Sequence, residues 1–227
     1  MVKKARLKAT TVVHANGKTS QQAERSILDV ATLVRGVSFR EDEVSGEARP
    51  NFVPLLRATN IAEELDLNDV VYVPTSRVSP EQLLKVGDVV VAMSSGSKAV
   101  VGKAASLKGP WLGTVGAFCS ILRPNDDLDW RFFSYFFQTR RYKHSIFNAS
   151  AGVNINNLGR KDFANIQMPV PPLAEQKQIA DKLDLVLGRL KATERQLSTS
   201  IAKVRSAERE ILNRALFSAL SPIQSES

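Results

Sequence analysis

Two neighbouring stretches carry the side chains best suited to chemistry. "QTRRYKHS" sets Arg140, Arg141, Lys143 and His144 around Tyr142, and "SAGVNINNLGRKDF" follows with Asn154, Asn156, Asn157, Arg160 and Lys161. Cationic side chains bind phosphate oxygens, while Asn, Ser and Arg can hydrogen-bond the edges of bases. A solvated helix end followed by a polar turn would use the same residue types, so composition leaves both readings open. Two polar, glycine-containing loops raise the same alternatives: "VRGVSFRE", with Arg35, Ser38 and Arg40, and "MSSGSKA", with Ser94, Ser95, Ser97 and Lys98. Each fits a plain turn as well as a contact loop.

Signs of catalysis are few. The two histidines, His14 and His144, lie far apart, and no His/Cys or His/Glu metal spacing or G-x-S-x-G elbow occurs. "GSKAVVGKAAS" superficially resembles a phosphate loop. Five residues separate Gly96 from Gly102, however, and Ala104 follows Lys103 where Ser or Thr would hold magnesium, so a strand turn is expected. "PVPPL" lacks the amide or carboxylate and the aromatic that flank the prolines of adenine methyltransferases. No acidic cluster beside a lysine suggests a nuclease. The single cysteine, Cys119, excludes an internal disulfide and a Cys-based zinc cluster, and its apolar setting "VGAFCSILRP" predicts burial in a cytoplasmic protein.

Composition sets the frame for these loops. The chain has 227 residues, 43% of them hydrophobic, enough for one ordinary core and an appendage. A net charge of +8 and a pI near 9.7 suit a polyanionic partner. No apolar run approaches the roughly 20 residues needed to span a bilayer. The first 25 residues lack the apolar block of a secretory signal and are expected to form a basic, mobile arm.

From Ser26 to Val170 short apolar runs alternate with turn residues, among them "FVPLLRATNI", "DVVYVP", "GDVVVAMSSG" and "GAFCSILRP". Strands are expected there, with helices over "SPEQLLKVGD" and "LDWRFFSYFFQTRRYKHSIF". The aromatic group Trp130, Phe132, Phe133, Tyr135, Phe136 and Phe137 is too dense for one solvated face and is read as core, and Trp111 as a strand-turn anchor. The domain is therefore α+β with a mixed sheet at its centre. Past Pro172 the character changes: 48 residues without proline and with one glycine, Gly188, predict a long helix of about 70 Å. A heptad seam runs through Leu183, Val186, Leu190, Thr193, Leu197, Ser200, Val204, Ala207 and Ile211. Such a seam calls for a partner helix, and the prolines of "PVPPL" would fix the direction in which the chain leaves the domain.

In order, "PLLRATNI", "LLKVGDVVVAMSSGS", "SAGVNINNLGRKDFANIQM" and "PVPPLAEQKQIADKLD" resemble the specificity subunits of type I restriction-modification systems. The resemblance covers about residues 26–220. It implies a target recognition domain over 26–172, a conserved-region helix over 173–220 serving as spacer and docking site, and a tail over 221–227. It further implies double-stranded DNA, a methyltransferase subunit and a restriction/translocase subunit as partners. No cofactor is expected on this chain, with S-adenosylmethionine and ATP held by the partner subunits. The candidate DNA-facing residues are Arg35, Ser38, Arg40, Arg57, Asn60, Ser94, Ser95, Ser97, Lys98, Arg140, Arg141, Lys143, Asn154, Asn156, Asn157 and Lys161. Leu183, Val186, Leu190, Leu197, Val204 and Ile211 are the candidate pairing residues of the helix. A complete subunit of this family has two recognition domains and two such helices, whereas one of each is present here. A homodimer with an antiparallel coiled coil, reading a palindromic bipartite target, would restore the pair. Half of a longer protein, a regulatory half-subunit competing for the methyltransferase and a non-catalytic coiled-coil adaptor are the alternatives.

Overall fold

The chain is seen in a computed structural model that describes residues 24–97, 99–150 and 157–220. These residues form a globular unit reaching to Asp181 and a second unit, the helix from Lys182 onward. The globular unit is α+β, as expected. In chain order it contains β1 (Glu24–Ser26), α1 (Ile27–Val30), β2 (Ala31–Arg35), β3 (Phe52–Leu56), β4 (Val71–Pro74), β5 (Val89–Ala92), β6 (Ala104–Ser106), β7 (Thr114–Val115), β8 (Cys119–Pro124), α2 (Trp130–Phe136), α3 (Arg140–Ser150), α4 (Arg160–Ala164) and β9 (Gln167–Pro169). The long helix α5 spans Leu173–Leu220.

Three sheets organise these strands. The largest has the order β2-β8-β5-β6, all neighbours antiparallel. A second has the order β4-β3-β7, with β3 and β7 parallel, and β1 pairs with β9. The continuous run Val89-Val90-Val91-Ala92 follows from burial of β5 on both faces. Val89 and Val91 join the cluster of Phe132, Phe133, Phe163 and Met168, whereas Val90 and Ala92 face Leu56, Val115 and Ile121. That alternation is the two-residue period of a strand separating two apolar layers.

The aromatic stretch is core, as its density predicts. Phe133 and Phe137 meet edge to face at 4.9 Å, and Phe137 and Tyr142 at 4.8 Å. The single helix expected over this stretch is instead two, α2 and α3. Thr139 causes the break: its hydroxyl donates to the Phe136 carbonyl and accepts from the Tyr142 N–H, closing one helix and opening the next. "SPEQLLKVGD" holds only a 3-10 turn, Pro80–Gln82, in which the Gln82 side chain accepts from the Ser79 N–H.

The start of α5 is anchored in the globular unit. Gln176, 1% exposed, accepts from the Asp129 N–H at 2.8 Å and donates to the Pro171 carbonyl at 2.8 Å. Asp129 caps α2 through the N–H groups of Arg131 and Phe132. One buried amide in "PPLAEQ" thus ties the turn before α5 to the turn before α2. Composition changes at Pro172, but residues 173–181 still belong to the globular unit, and Ile179 and Ala180 pack in its core.

Candidate nucleic-acid interface

Strand polarity gathers loops from distant parts of the sequence. Arg35 pairs with Ser120, and Ala92 with Cys119, so the C-terminal ends of β2 and β5 lie beside the N-terminal end of β8. The loops that leave or enter these strands therefore share one end of the large sheet. At its centre is a turn, 116–119, closed by the Cys119 N–H donating to the Gly116 carbonyl at 2.8 Å. Its Cys119 carbonyl accepts from the Gly36 N–H at 3.1 Å, while its Phe118 carbonyl accepts from the N–H groups of Met93 (2.8 Å) and Ser94 (3.1 Å). Met93 in turn accepts from the Leu158 N–H at 2.7 Å, and Ser94 bridges to Asn157. Leu56, just before Arg57, accepts from the Gly116 N–H at 2.9 Å.

Backbone hydrogen bonds consequently join four of the segments singled out in the sequence. Arg35 and Ser38 on the first loop, Ser94 and Ser95 on the second and Asn157 on the third converge on this turn, with Arg57 beside it. Arg35, Ser38, Ser97, Asn157 and Lys161 are exposed, and Ser94 and Ser95 half-buried. Lys98, Asn154 and Asn156 lie outside the described residues.

Other candidates are engaged elsewhere. Asn60 is a correction: it is 1% exposed, its amide donates to the carbonyls of Asp66 and Asp69, and its oxygen accepts from the Arg57 N–H. It holds the 57–69 loop closed and is not presented to a ligand. Arg57 donates to Asp69 at 3.3 Å. Arg40 pairs with Asp42 at 3.1 Å. Arg141 makes a bidentate pair with Glu24, at 2.8 and 2.7 Å, and its guanidinium holds that carboxyl below the usual carboxylate range. Arg140 and Lys143 stay exposed on α3. That helix is attached to the second loop at its far end, where the buried Tyr142 hydroxyl donates to the Gly102 carbonyl at 2.9 Å.

Electrostatics near the first loop are less repulsive to anions than its acidic run "EDE" suggests. Glu43 accepts from the Arg40 N–H at 2.9 Å and from the Arg77 guanidinium, and these contacts keep its carboxyl below the usual range. Cys119 is buried at the hub, and desolvation pushes its thiol up to about 12. It is a packed, protonated side chain and not a nucleophile. Among the described residues no group of three or more His, Cys, Asp or Glu could hold a metal ion. The arrangement offers hydroxyls, amides and guanidinium groups on a fixed backbone, which suits binding to a surface of phosphates and base edges.

Gly36 is required by close approach. A Cβ there would lie 2.1 Å from the Gly116 carbonyl oxygen and 2.8 Å from that of Cys119, both backbone atoms. At Gly116 the nearest atoms are side-chain carbons of Leu55, at 3.2 Å, and Phe39, at 3.4 Å. Gly36→Ala is therefore expected to cost about 1–3 kcal/mol, as overpacking does, and to lower Tm by roughly 3–10 °C. Gly116→Ala should cost less, and Gly46→Ala, with open space around it, little. Thermal unfolding of the three variants checks the order.

The 116–119 turn was not among the residues read as functional from the sequence. Its apolar neighbours mark it as strand, and β7, with two residues, is too short to show a period.

Comparison with known proteins gives one family. Residues 21–203 match the Type I restriction modification DNA specificity domain. The EcoKI specificity subunit of Escherichia coli K12 is 42% identical over 165 residues, covering 72% of this chain and 36% of the relative. The StySPI specificity subunit of Salmonella potsdam is 39% identical over 176 residues, covering 77% and 38%. The chain thus spans little more than a third of these relatives. Among solved structures, the HsdS subunit of Thermoanaerobacter tengcongensis shares the fold with a TM-score of 0.61 at 19% identity, covering 94% of this chain and 53% of that one. A chain from a study of type I R-M complex assembly and conformational transition gives a TM-score of 0.68 at 19% identity, covering 94% and 54%.

Proposed function

This chain belongs to the type I restriction-modification DNA specificity family, and from that membership we infer that it reads one half of a bipartite DNA target for a methyltransferase. The observation that carries the reading is that the loops bearing Arg35 and Ser38, and Ser94 and Ser95, are bonded through their backbones to one turn, with Asn157 bridged to Ser94. Cationic groups there hold phosphates and set register, and hydroxyls and amides contact base edges. The role is non-catalytic. A methyltransferase subunit carrying S-adenosylmethionine flips and modifies an adenine, and a restriction/translocase subunit carries ATP. The work takes place on cytoplasmic DNA; no helix among the described residues is long and apolar enough to cross a membrane.

Two copies, paired antiparallel along α5, present two identical reading edges, which makes the target a palindrome with a fixed gap. Support comes from the seam itself, where Leu197, Val204 and Ile211 are each more than half exposed. Co-expression with a type I methyltransferase subunit and mapping of modified adenines tests this function. A bipartite palindrome that disappears without this chain is the expected result. A stable complex that yields no sequence-dependent modification would instead point to a truncated or regulatory form that needs another recognition domain.

A further inference from the structure

Phe118 is 69% exposed at a corner of the 116–119 turn, where Gly, Asn, Asp, Ser and Pro are favoured. Single exposed apolar side chains are common on protein surfaces. This one stands on the turn to which the loops of Gly36 and Ser94 are bonded. Its own carbonyl accepts two N–H groups, and its neighbour Cys119 donates to Gly116 and accepts from Gly36. A large apolar side chain therefore stands exposed on a fixed main chain that is bonded to Ser94 and, through Cys119, to the loop of Arg35 and Ser38. Neither turn chemistry nor core packing calls for phenylalanine at this position. Its presence implies a complementary apolar surface on whatever meets this edge.

Given the reading of this edge as DNA-facing, on which the inference rests, we propose that Phe118 is a specificity-determining residue that contacts the 5-methyl group of thymine. On the edges of base pairs in a duplex that methyl is the exposed apolar group, so the ring has one match in the major groove. The hydroxyls of Ser94 and Ser95, on the loop whose backbone is bonded to Phe118, can serve either donors or acceptors on adjacent bases. A neutral ring adds nothing to phosphate attraction, so its removal alters preference and leaves general affinity in place. The fixed backbone and two side-chain torsions also keep the entropy cost of the contact low.

The test uses the full chain with the methyltransferase subunit. Mapping of modified adenines with Phe118→Ala should return both half-sites at unchanged spacing, with thymine preference at one position of each falling by about 5- to 100-fold. Phe118→Leu, which keeps an apolar surface, should retain most of it. Duplexes of the mapped target with deoxyuridine replacing that thymidine should weaken binding of the unaltered complex by a similar factor and leave the Phe118→Ala complex unaffected. An unchanged motif, a target without a thymine preference, or equal loss on all sequences overturns the proposal. So does loss of the methyltransferase complex with the motif retained, which would make Phe118 a docking residue. If the unaltered chain directs no sequence-dependent modification, the DNA-facing reading itself fails and this inference fails with it.

Discussion

If two copies pair along α5 as proposed, the unaltered chain is expected to sediment as a dimer and a chain carrying glutamate at Leu190, Leu197 and Val204 as a monomer. The three positions fall seven residues apart and lie on the same stripe of α5. In the single chain Leu197 is 52% and Val204 58% exposed, and Leu190 is half-buried, so apolar surface is available for a second helix. The two hydroxyl residues of the seam do not oppose burial. Thr193 donates to the Arg189 carbonyl at 3.1 Å and Ser200 to that of Gln196 at 3.0 Å, so each enters an interface with its hydrogen bond already made. Burying a leucine or valine side chain contributes about 1.5–3 kcal/mol. Because these side chains are already partly covered in the single chain, three positions in each of two copies account for on the order of 5 kcal/mol, several powers of ten in an association constant. Burying carboxylates in their place adds a further cost. Glutamate and leucine have similar helix propensities, and valine is the poorer former, so circular dichroism should show the helix retained. Leu183, 4% exposed, is left unaltered so that folding is not disturbed. A triple variant that still sediments as a dimer would show that the copies meet elsewhere.

How much of this was legible in the sequence varied with the range of the interactions. The long helix was, because a proline block followed by 48 residues at helical period is a local signal. So was the sheet-centred α+β domain, since Val-rich runs between turn residues reflect strands buried on both faces. The loops were legible as residue types only. Asn60 and Asn157 read alike in sequence, yet one ties a loop shut with its amide and the other stands at an exposed bridge. Arg141 seemed as available as Arg140 because its partner, Glu24, is 117 positions away. Phe118 was hidden inside an apolar run that the fold divides between a buried strand and an exposed corner. What periodicity encodes was readable, and what long-range hydrogen bonds decide was not.

Severing the buried ion pair of Asp88 and Arg123 is expected to have the largest effect on stability. Asp88, whose side chain is 1% exposed, accepts from Arg123 at 2.9 and 2.7 Å and from the Lys85 N–H at 2.8 Å. Arg123 also donates to the carbonyls of Glu81 and Leu83, at 3.1 and 2.8 Å. Together they fasten segment 81–88 to β8. Asp88→Ala leaves the guanidinium with two carbonyls and no counter-charge, and Arg123→Met leaves a carboxylate buried with only the Lys85 N–H. Either single change should cost about 3–5 kcal/mol, the penalty for an uncompensated buried charge, and lower Tm by on the order of 10 °C. Removing both charges together should recover part of the loss, because the apolar pair has no charge to desolvate. The same segment supports the reading edge: the Gln82 amide donates to the Arg35 carbonyl at 3.0 Å, and Leu84 N–H to the Gly113 carbonyl at 2.9 Å. A loosened segment should therefore also weaken target recognition at temperatures where the chain is still folded. Chemical denaturation of the two single variants and the double variant gives the coupling energy. Single variants costing under about 1 kcal/mol, the range of exposed pairs, would mean that water reaches this pair and that segment 81–88 is held by its apolar contacts.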